Sequence, residues 1–330
     1  MPRVVALLAA VLASTGLPAC GEDGAEPGAP KRATLVLDFQ PNAVHSGIYT
    51  ALADGYYADR AVDLSVRQPS ASTDAPKLLL AGRADFAILD VHDLGLARER
   101  GLKIVAVAPI VNRPLAAVIA ADRKAVRSPR DLRGRTVGVT GLPSDDAVLD
   151  SVLSADGVGP GEVDRVTIGF QAVSALAAGK VDAATGFWNA EGVTLRREGI
   201  PIRAFRVDRY GAPRYPELVL CTTGKLVSAS PRLVRSVVGA TARGYSSTVR
   251  RPERALAALL DRAPGLDPAD QRAELEALLR ADSFSPVGRF RPKALATWAR
   301  WDARHGILAR LPGPGAFWLG ARPQPAVASD

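Results

Sequence analysis

The chain reads as an α/β protein of two lobes joined by a hinge of two strands, followed by a C-terminal block of helices. Three observations predict this. From Thr34 onward, short apolar runs alternate with helix-like segments, the rhythm of βαβ units around a mostly parallel sheet. The segment Ala81-Gly82-Arg83-Ala84-Asp85-Phe86-Ala87 returns as Ala178-Gly179-Lys180-Val181-Asp182-Ala183-Ala184, each at a helix end turning into a strand, which suggests two similar lobes. Two apolar strands follow Pro-containing segments, Leu115–Ala121 after Arg113-Pro114 and Glu217–Thr222 after Tyr215-Pro216, and are placed to carry the chain out to a second lobe and back.

The elements follow in order. Arg3 and the apolar run Val4–Ala13 have the form of an export signal over residues 1–19. Leu17-Pro18-Ala19-Cys20 resembles a lipobox, so Cys20 is expected to be acylated, and residues 20–33, rich in Gly and Pro, form a flexible tether. Thr34–Phe39 opens the fold as a strand; Val44–Asp54 is a helix ended by Gly55. Val62–Gln68 alternates as a strand, Ala75–Ala81 is helical, Phe86–Leu89 a strand, Asp93–Arg100 a helix and Ile104–Val111 a buried strand. Thr136–Val139 then starts the second lobe as Thr34–Phe39 starts the first. After Thr223 come helices at Pro231–Val249, Arg251–Arg262, Pro268–Ala281 and Pro292–His305, with Pro suited to their first turns. The expected organisation is residues 34–114 with 223–320 as lobe 1, 115–222 as lobe 2 with the hinge strands, and a loose tail over 321–330.

Composition narrows the function. With 330 residues, 47% of them hydrophobic, the chain has material for two cores and is not disordered as a whole. The net charge of +8 comes from Arg spread along the chain, a solvated basic surface rather than a nucleic-acid stripe. Two Cys and three scattered His leave little for a disulfide scaffold or a metal site. No G-x-S-x-G elbow, phosphate-cradling loop or dinucleotide loop is present. No catalytic residue, cofactor or metal is therefore expected.

Ligands of open α/β sheets bind beyond the carboxyl ends of strands. Residues so placed are Asp38, Phe39, Asn42, His45 and Tyr49 after the first strand, Asp90 and His92 after the third, and Arg113 after the fourth. The second lobe offers Thr140, Phe187, Trp188, Asn189 and Glu191, with Tyr210 later. Aromatics are only 5% of the chain, yet they gather at these ends. Phe39 and Trp188, with Phe187 or Tyr210, would stack on a flat, uncharged ring, while Asp38, Asn42, His45 and Glu191 would hydrogen-bond its edge. A structural reading stands beside each: Phe39 and Trp188 as plugs of the lobe interface, Asp38 and Asp90 as helix caps, His45 as an ordinary helix residue, and Glu191 as a first-turn carboxylate.

Leu37-Asp38-Phe39-Gln40-Pro41-Asn42, then His45-Ser46-Gly47-Ile48-Tyr49 and Gly55-Tyr56-Tyr57, resembles the opening motif of the thiamine pyrimidine synthase-like family. The repeated Ala-Gly-basic-x-Asp segment, Arg113-Pro114 and Gly186-Phe187-Trp188-Asn189-Ala190-Glu191 continue the resemblance, which covers about Thr34 to Leu226. It implies a type 2 periplasmic-binding-protein fold and a substrate-binding protein of an ABC importer. Such a protein would be held outside the membrane by its lipid and deliver a thiamine pyrimidine precursor to a permease and its ATPase. Other members of the wider group take riboflavin, sulfonates or nitrate, and an anion would draw on Arg113. Fungal relatives are enzymes that use iron and pyridoxal phosphate; their Cys-rich motif is absent here, where Ala212–Glu217 stands in its place.

Overall fold

The computed structural model describes residues 29–318, apart from 71–73, 123–125, 142 and 170. The expected export signal, Cys20, the tether as far as residue 28 and the tail from 321 lie outside the described residues. The strands are β1 (Lys31–Val36), β2 (Val62–Arg67), β3 (Phe86–Asp90), β4 (Ile104–Val111), β5 (Ala116–Ala121), β6 (Thr136–Val139), β7 (Asp164–Thr167), β8 (Ala183–Phe187), β9 (Ile202–Arg206) and β10 (Leu218–Thr223). They form two five-stranded sheets, in orders β2-β1-β3-β10-β4 and β7-β6-β8-β5-β9. β10 is antiparallel to both its neighbours, as is β5. Each sheet thus takes as its antiparallel member the first strand laid down after the chain has crossed from the other.

The repeated heptapeptide does the same work in both sheets. Gly82 and Gly179 take positive φ to end a helix (67° and 68°), a conformation that would strain a side chain. The Asp that follows then grips the neighbouring parallel strand. Asp85 accepts a hydrogen bond from the Thr34 amide at 2.8 Å, and Asp182 accepts one from the Thr136 amide at 3.1 Å. β1 begins at Lys31, earlier than the expected Thr34, because the Lys31 amide already bonds to the Ala61 carbonyl (2.9 Å) and its residue pairs with Val62. The expected tether is therefore ordered strand at its end.

The helices are α1 (Ser46–Ala53), α2 (Asp74–Leu80), α3 (Val91–Glu99), α4 (Pro143–Ser154), α5 (Ala172–Ala177), α6 (Glu191–Arg197), α7 (Gly224–Ala229), α8 (Pro231–Arg250), α9 (Pro252–Arg262), α10 (Pro268–Arg280) and α11 (Pro292–Arg304). Each of α8 to α11 carries Pro in its first turn. α8 lies close against α1, where a Cβ built on Gly244 would stand 2.0 Å from the Gly47 carbonyl oxygen. Gly244→Ala is expected to force α8 off α1 and to lower stability by roughly 1–3 kcal/mol, the range for overpacking; a urea unfolding curve measures it. α10 also touches α6, and α11 places Trp298 and Trp301 in one apolar cluster with Val118, Val137 and Val139 of the second sheet. Among the described residues no helix is long and apolar enough to cross a membrane.

The chain passes between the sheets twice, through residues 112–115 and 207–217. The buried carboxylate of Glu217 ties these passages together, its Oε2 accepting from the Leu115 amide at 2.6 Å.

Candidate functional site

A cavity of about 160 Å³ lies between the two sheets. One wall comes from the loop after β1, the β3–α3 junction and the start of β10; the other comes from the ends of β6 and β8 and the starts of α4 and α6. This is the crevice beyond the strand ends where open α/β sheets take ligands.

On the first wall, Asn42 caps a short 3₁₀ turn, Ala43–His45, accepting from the Val44 amide (3.0 Å), while its own amide donates to His45 Nδ1 (3.2 Å). With Nδ1 accepting from the Asn42 amide, Nε2 is the nitrogen that donates to Asp38 Oδ1, at 2.8 Å. His45 is fully buried and outside the cavity lining. It orients Asp38 and has no ring nitrogen left for a ligand. Phe39, beside Asp38, is 39% exposed, an unusual state for a large aromatic, and lines the cavity.

At the floor, Asp90 caps α3 by accepting from the His92 amide at 2.7 Å. Burial pushes its carboxyl well above the usual range, and burial likewise raises the hydrogen-bonded Glu217, to about 7. Two buried acids side by side cannot both ionise readily, so the pair holds a proton near neutrality. Behind them His92 is 2% exposed. Burial alone would lower its pKa, but the carboxylates of Asp302 and Asp90 raise it to about 9. This favours the charged ring; its Nδ1 lies 2.8 Å from Asp302 Oδ2 and is also reached by the Trp298 indole N–H at 3.1 Å, and its Nε2 pairs with the Tyr215 hydroxyl at 3.2 Å.

On the second wall Asp145, in the first turn of α4, accepts from the Thr140 amide (3.1 Å), from the Thr140 hydroxyl and from the Thr185 hydroxyl (3.1 Å). Glu191 Oε2 accepts from the Phe187 amide at 2.8 Å, and burial raises its carboxyl. Phe187 faces the cavity from this side. Asn189 is 1% exposed, lines the cavity, and its Oδ1 has no hydrogen-bond partner.

Of the residues singled out from the sequence, Asp38, Phe39, Asn42, Asp90, His92, Thr140, Phe187, Asn189 and Glu191 line the cavity. Five do not. Trp188 is buried in the core, its indole N–H donates to the Pro114 carbonyl (3.0 Å), and the Arg206 guanidinium stands 3.9 Å over its ring. It braces the outward passage and corrects the expectation of a stacking wall. Tyr49 packs under α9 with Leu259 and Ala263, and Tyr210 packs edge-on against Phe205. Arg113 is spent on Asp208 (2.8 Å) and the Ala281 carbonyl (2.8 Å), which leaves no guanidinium for an anion in the cavity. His45 serves Asp38. Sequence reasoning missed Asp145, Thr185 and Glu217; Asp145 could have been found as a first-turn carboxylate following a strand end.

These residues do not fit the cofactors of the fungal enzymes. Pyridoxal phosphate needs a lysine for its aldehyde and donors for its phosphate, and among the described residues no Lys or Arg lines the cavity. Asp90, His92 and Glu217 bring one potential ligand atom each within 4.8 Å of one another. A metal ion there would need a bare nitrogen from His92, but Nδ1 is engaged by Asp302 and Trp298 and Nε2 by the Tyr215 hydroxyl, so the imidazole is not placed to be a ligand. Cys221 is buried in β10, where burial pushes its thiol well up.

The NMT1/THI5-like family model matches residues 42–255. A formylaminopyrimidine-binding protein of Halalkalibacterium halodurans is 32% identical over 268 residues, 80% of this chain and 81% of that protein. A 4-amino-5-hydroxymethyl-2-methylpyrimidine phosphate synthase of Legionella pneumophila is 24% identical over 71% of this chain and 75% of its own. Among solved structures, the alkanesulfonate-binding protein SsuA from Xanthomonas axonopodis pv. citri superposes with a TM-score of 0.69 at 18% identity, covering 88% of this chain and 99% of that one. That likeness shows the fold, the two-lobed α/β architecture of periplasmic binding proteins.

Proposed function

We propose that this chain, which belongs to the NMT1/THI5-like family, is the extracytoplasmic substrate-binding protein of an ABC importer and binds a small amino-substituted heteroaromatic of the thiamine pyrimidine-precursor type. One observation carries the reading: the cavity sets Phe39 and Phe187 on opposite walls and surrounds them with Asp38, Asp90, Asp145, Glu191 and Glu217. Aromatic faces hold a flat ring, and acidic edges accept from its amino group. The likeness to a formylaminopyrimidine-binding protein supports the same ligand class. A sulfonate or nitrate is disfavoured, because no Lys or Arg among the described residues lines the cavity. The volume of about 160 Å³ is below the roughly 300–1,000 Å³ of sites for drug-sized ligands, a scale that suits one ring better than a three-ring flavin. The missing lysine argues for binding rather than synthase chemistry. Closure of the lobes over the ligand would present a distinct shape to the permease and its ATPase, with Cys20 as the lipid anchor.

Calorimetry of the purified protein with formylaminopyrimidine, riboflavin and taurine tests the reading. The pyrimidine is expected to bind and the other two to give no heat. Phe187→Ala is expected to weaken the pyrimidine by about 1–3 kcal/mol, the value of one stacking face. Tight binding of taurine, or a Phe187→Ala variant that is folded and binds unchanged, would overturn it.

A further inference from the structure

We infer that the cavity holds its ligand as a cation, a basic ring that carries a proton on a ring nitrogen while bound. The inference rests on the pyrimidine reading above and deepens it. Six carboxyl groups line the cavity, those of Asp38, Asp90, Asp93, Asp145, Glu191 and Glu217. The one basic side chain among the described lining residues is His92, and both its nitrogens are engaged elsewhere, Nδ1 with Asp302 and Trp298 and Nε2 with Tyr215. The chain as a whole carries +8, so this acidity is local and opposite to the surface.

The hydrogen-bond chemistry points the same way. Four of the carboxyls are aimed by one oxygen each: Asp38 by His45, Asp145 by Thr140 and Thr185, Glu191 by the Phe187 amide and Glu217 by the Leu115 amide. Such fixed groups are acceptors in place before the ligand arrives. Asn189 Oδ1, buried and lining the cavity without a protein partner, is a further acceptor open to a ligand donor. A neutral aminopyrimidine brings donors on its amino group but bare acceptors at its ring nitrogens; the proton of the Asp90–Glu217 pair is the donor at hand for one of them, and against a carboxylate, acceptor would face acceptor. Protonation turns a ring nitrogen into a donor and supplies the positive charge that crowded carboxylates need.

The proton balance is simple. A carboxyl O–H of the Asp90–Glu217 pair breaks, an N–H forms on the ring, and a carboxylate–cation pair remains. The titratable and charged groups facing that pair are His92, Asp93, Asp208 and Tyr215, with Asp302 behind His92 and Tyr215. Asp93 is faced by His92, Asp145, Asp38 and Arg100; Glu191 is faced by Asp145 and Glu274. Burial holds Asp90, Asp93 and Glu191 above the usual carboxylate range, with Glu217 at about 7. A ligand already charged would have to displace that proton, so its affinity should rise as pH passes about 7.

The test is the ultraviolet difference spectrum of formylaminopyrimidine bound at pH 8, where the free ring is neutral. The expected result is the spectrum of the protonated ring. A more basic aminopyrimidine analogue, already protonated on its ring nitrogen in solution at pH 8, is expected to bind about tenfold more tightly at pH 8 than at pH 6. A bound pyrimidine with the neutral spectrum would overturn the inference while leaving the pyrimidine reading intact. Loss of all binding, with no heat from either ring at any pH, would overturn both.

Discussion

Asp302→Ala is expected to lower stability at pH 7 by about 3 kcal/mol, the low end of the range for breaking a buried ion pair. Asp302 is fully buried and His92 is 2% exposed, so neither charge has water to fall back on. Without Asp302 the imidazolium would sit among Tyr215, Trp298 and Trp301 with its Nδ1–H unanswered. The ring escapes by giving up its proton. Since His92 is held at about 9, taking that proton at pH 7 costs about 1.4 kcal/mol for each of the roughly two pH steps between, which sets the expected size. The neutral ring keeps a partner at that nitrogen, because the Trp298 indole N–H already points at Nδ1 from 3.1 Å. Urea unfolding gives the loss, and an NMR titration of His92 in the variant should place its pKa below the ordinary value of 6.5. A variant as stable as the parent, with His92 still charged at pH 7, would show that the pair contributes nothing.

That network ties the C-terminal helix to the cavity floor, a link no local pattern announces. What the sequence did disclose was local. Pro at the head of α8 to α11 marked their starts to within a residue, and the repeated Gly and Asp marked two equivalent turns whose hydrogen bonds match. Asp38, Phe39 and Asn42 were legible because one short loop carries them all. Trp188 was not, and the reason is parity. Successive side chains leaving a strand point to opposite faces, so when Phe187 faces the cavity Trp188 turns back toward Pro114. Composition cannot decide which of two adjacent aromatics looks inward. Glu217 was hidden for another reason. Its function is a bond to Leu115 across the hinge, and before the fold forms it reads only as the first residue of an apolar strand. The capping bond from the Asn42 amide to His45 could have been read from spacing, and would have shown that His45 was already occupied.

The ligand-free protein should be most stable in mild acid and lose several kcal/mol between about pH 5 and pH 9. Each group contributes about 1.4 kcal/mol for every pH step separating its folded pKa from its unfolded one. Three buried groups set the sign. Burial raises Glu217 to about 7 and Glu274 to about 8 from an ordinary 4.5, so the folded chain keeps protons that the unfolded chain has released. Their contribution is complete below 4.5 and is lost as pH rises through the folded values. His92, raised from 6.5 to about 9 by its carboxylate neighbours against the effect of burial, works in the same direction, losing its contribution as pH climbs through 9. His305, pushed down by burial and Arg304, opposes them, but it is partly exposed and weaker. Toward strong acid the trend reverses, since Asp54 is held below its ordinary value by Arg254, Tyr56 and Arg251 against burial, and loses that support when protonated. Glu274 offers the cleanest lever, because it is 5% exposed, lies outside the cavity lining and has an Oε2 without a partner. Glu274→Gln keeps the shape and removes the titration, so it should flatten the decline and leave the variant more stable than the parent at pH 8. Urea midpoints at pH 5, 7 and 9 for both proteins check this, and a parent whose stability climbs from pH 5 to pH 8 would contradict it. A bound cation reverses the part that belongs to Glu217, since it stabilises the carboxylate. Ligand should therefore protect the protein most where the empty form is weakest, on the alkaline side.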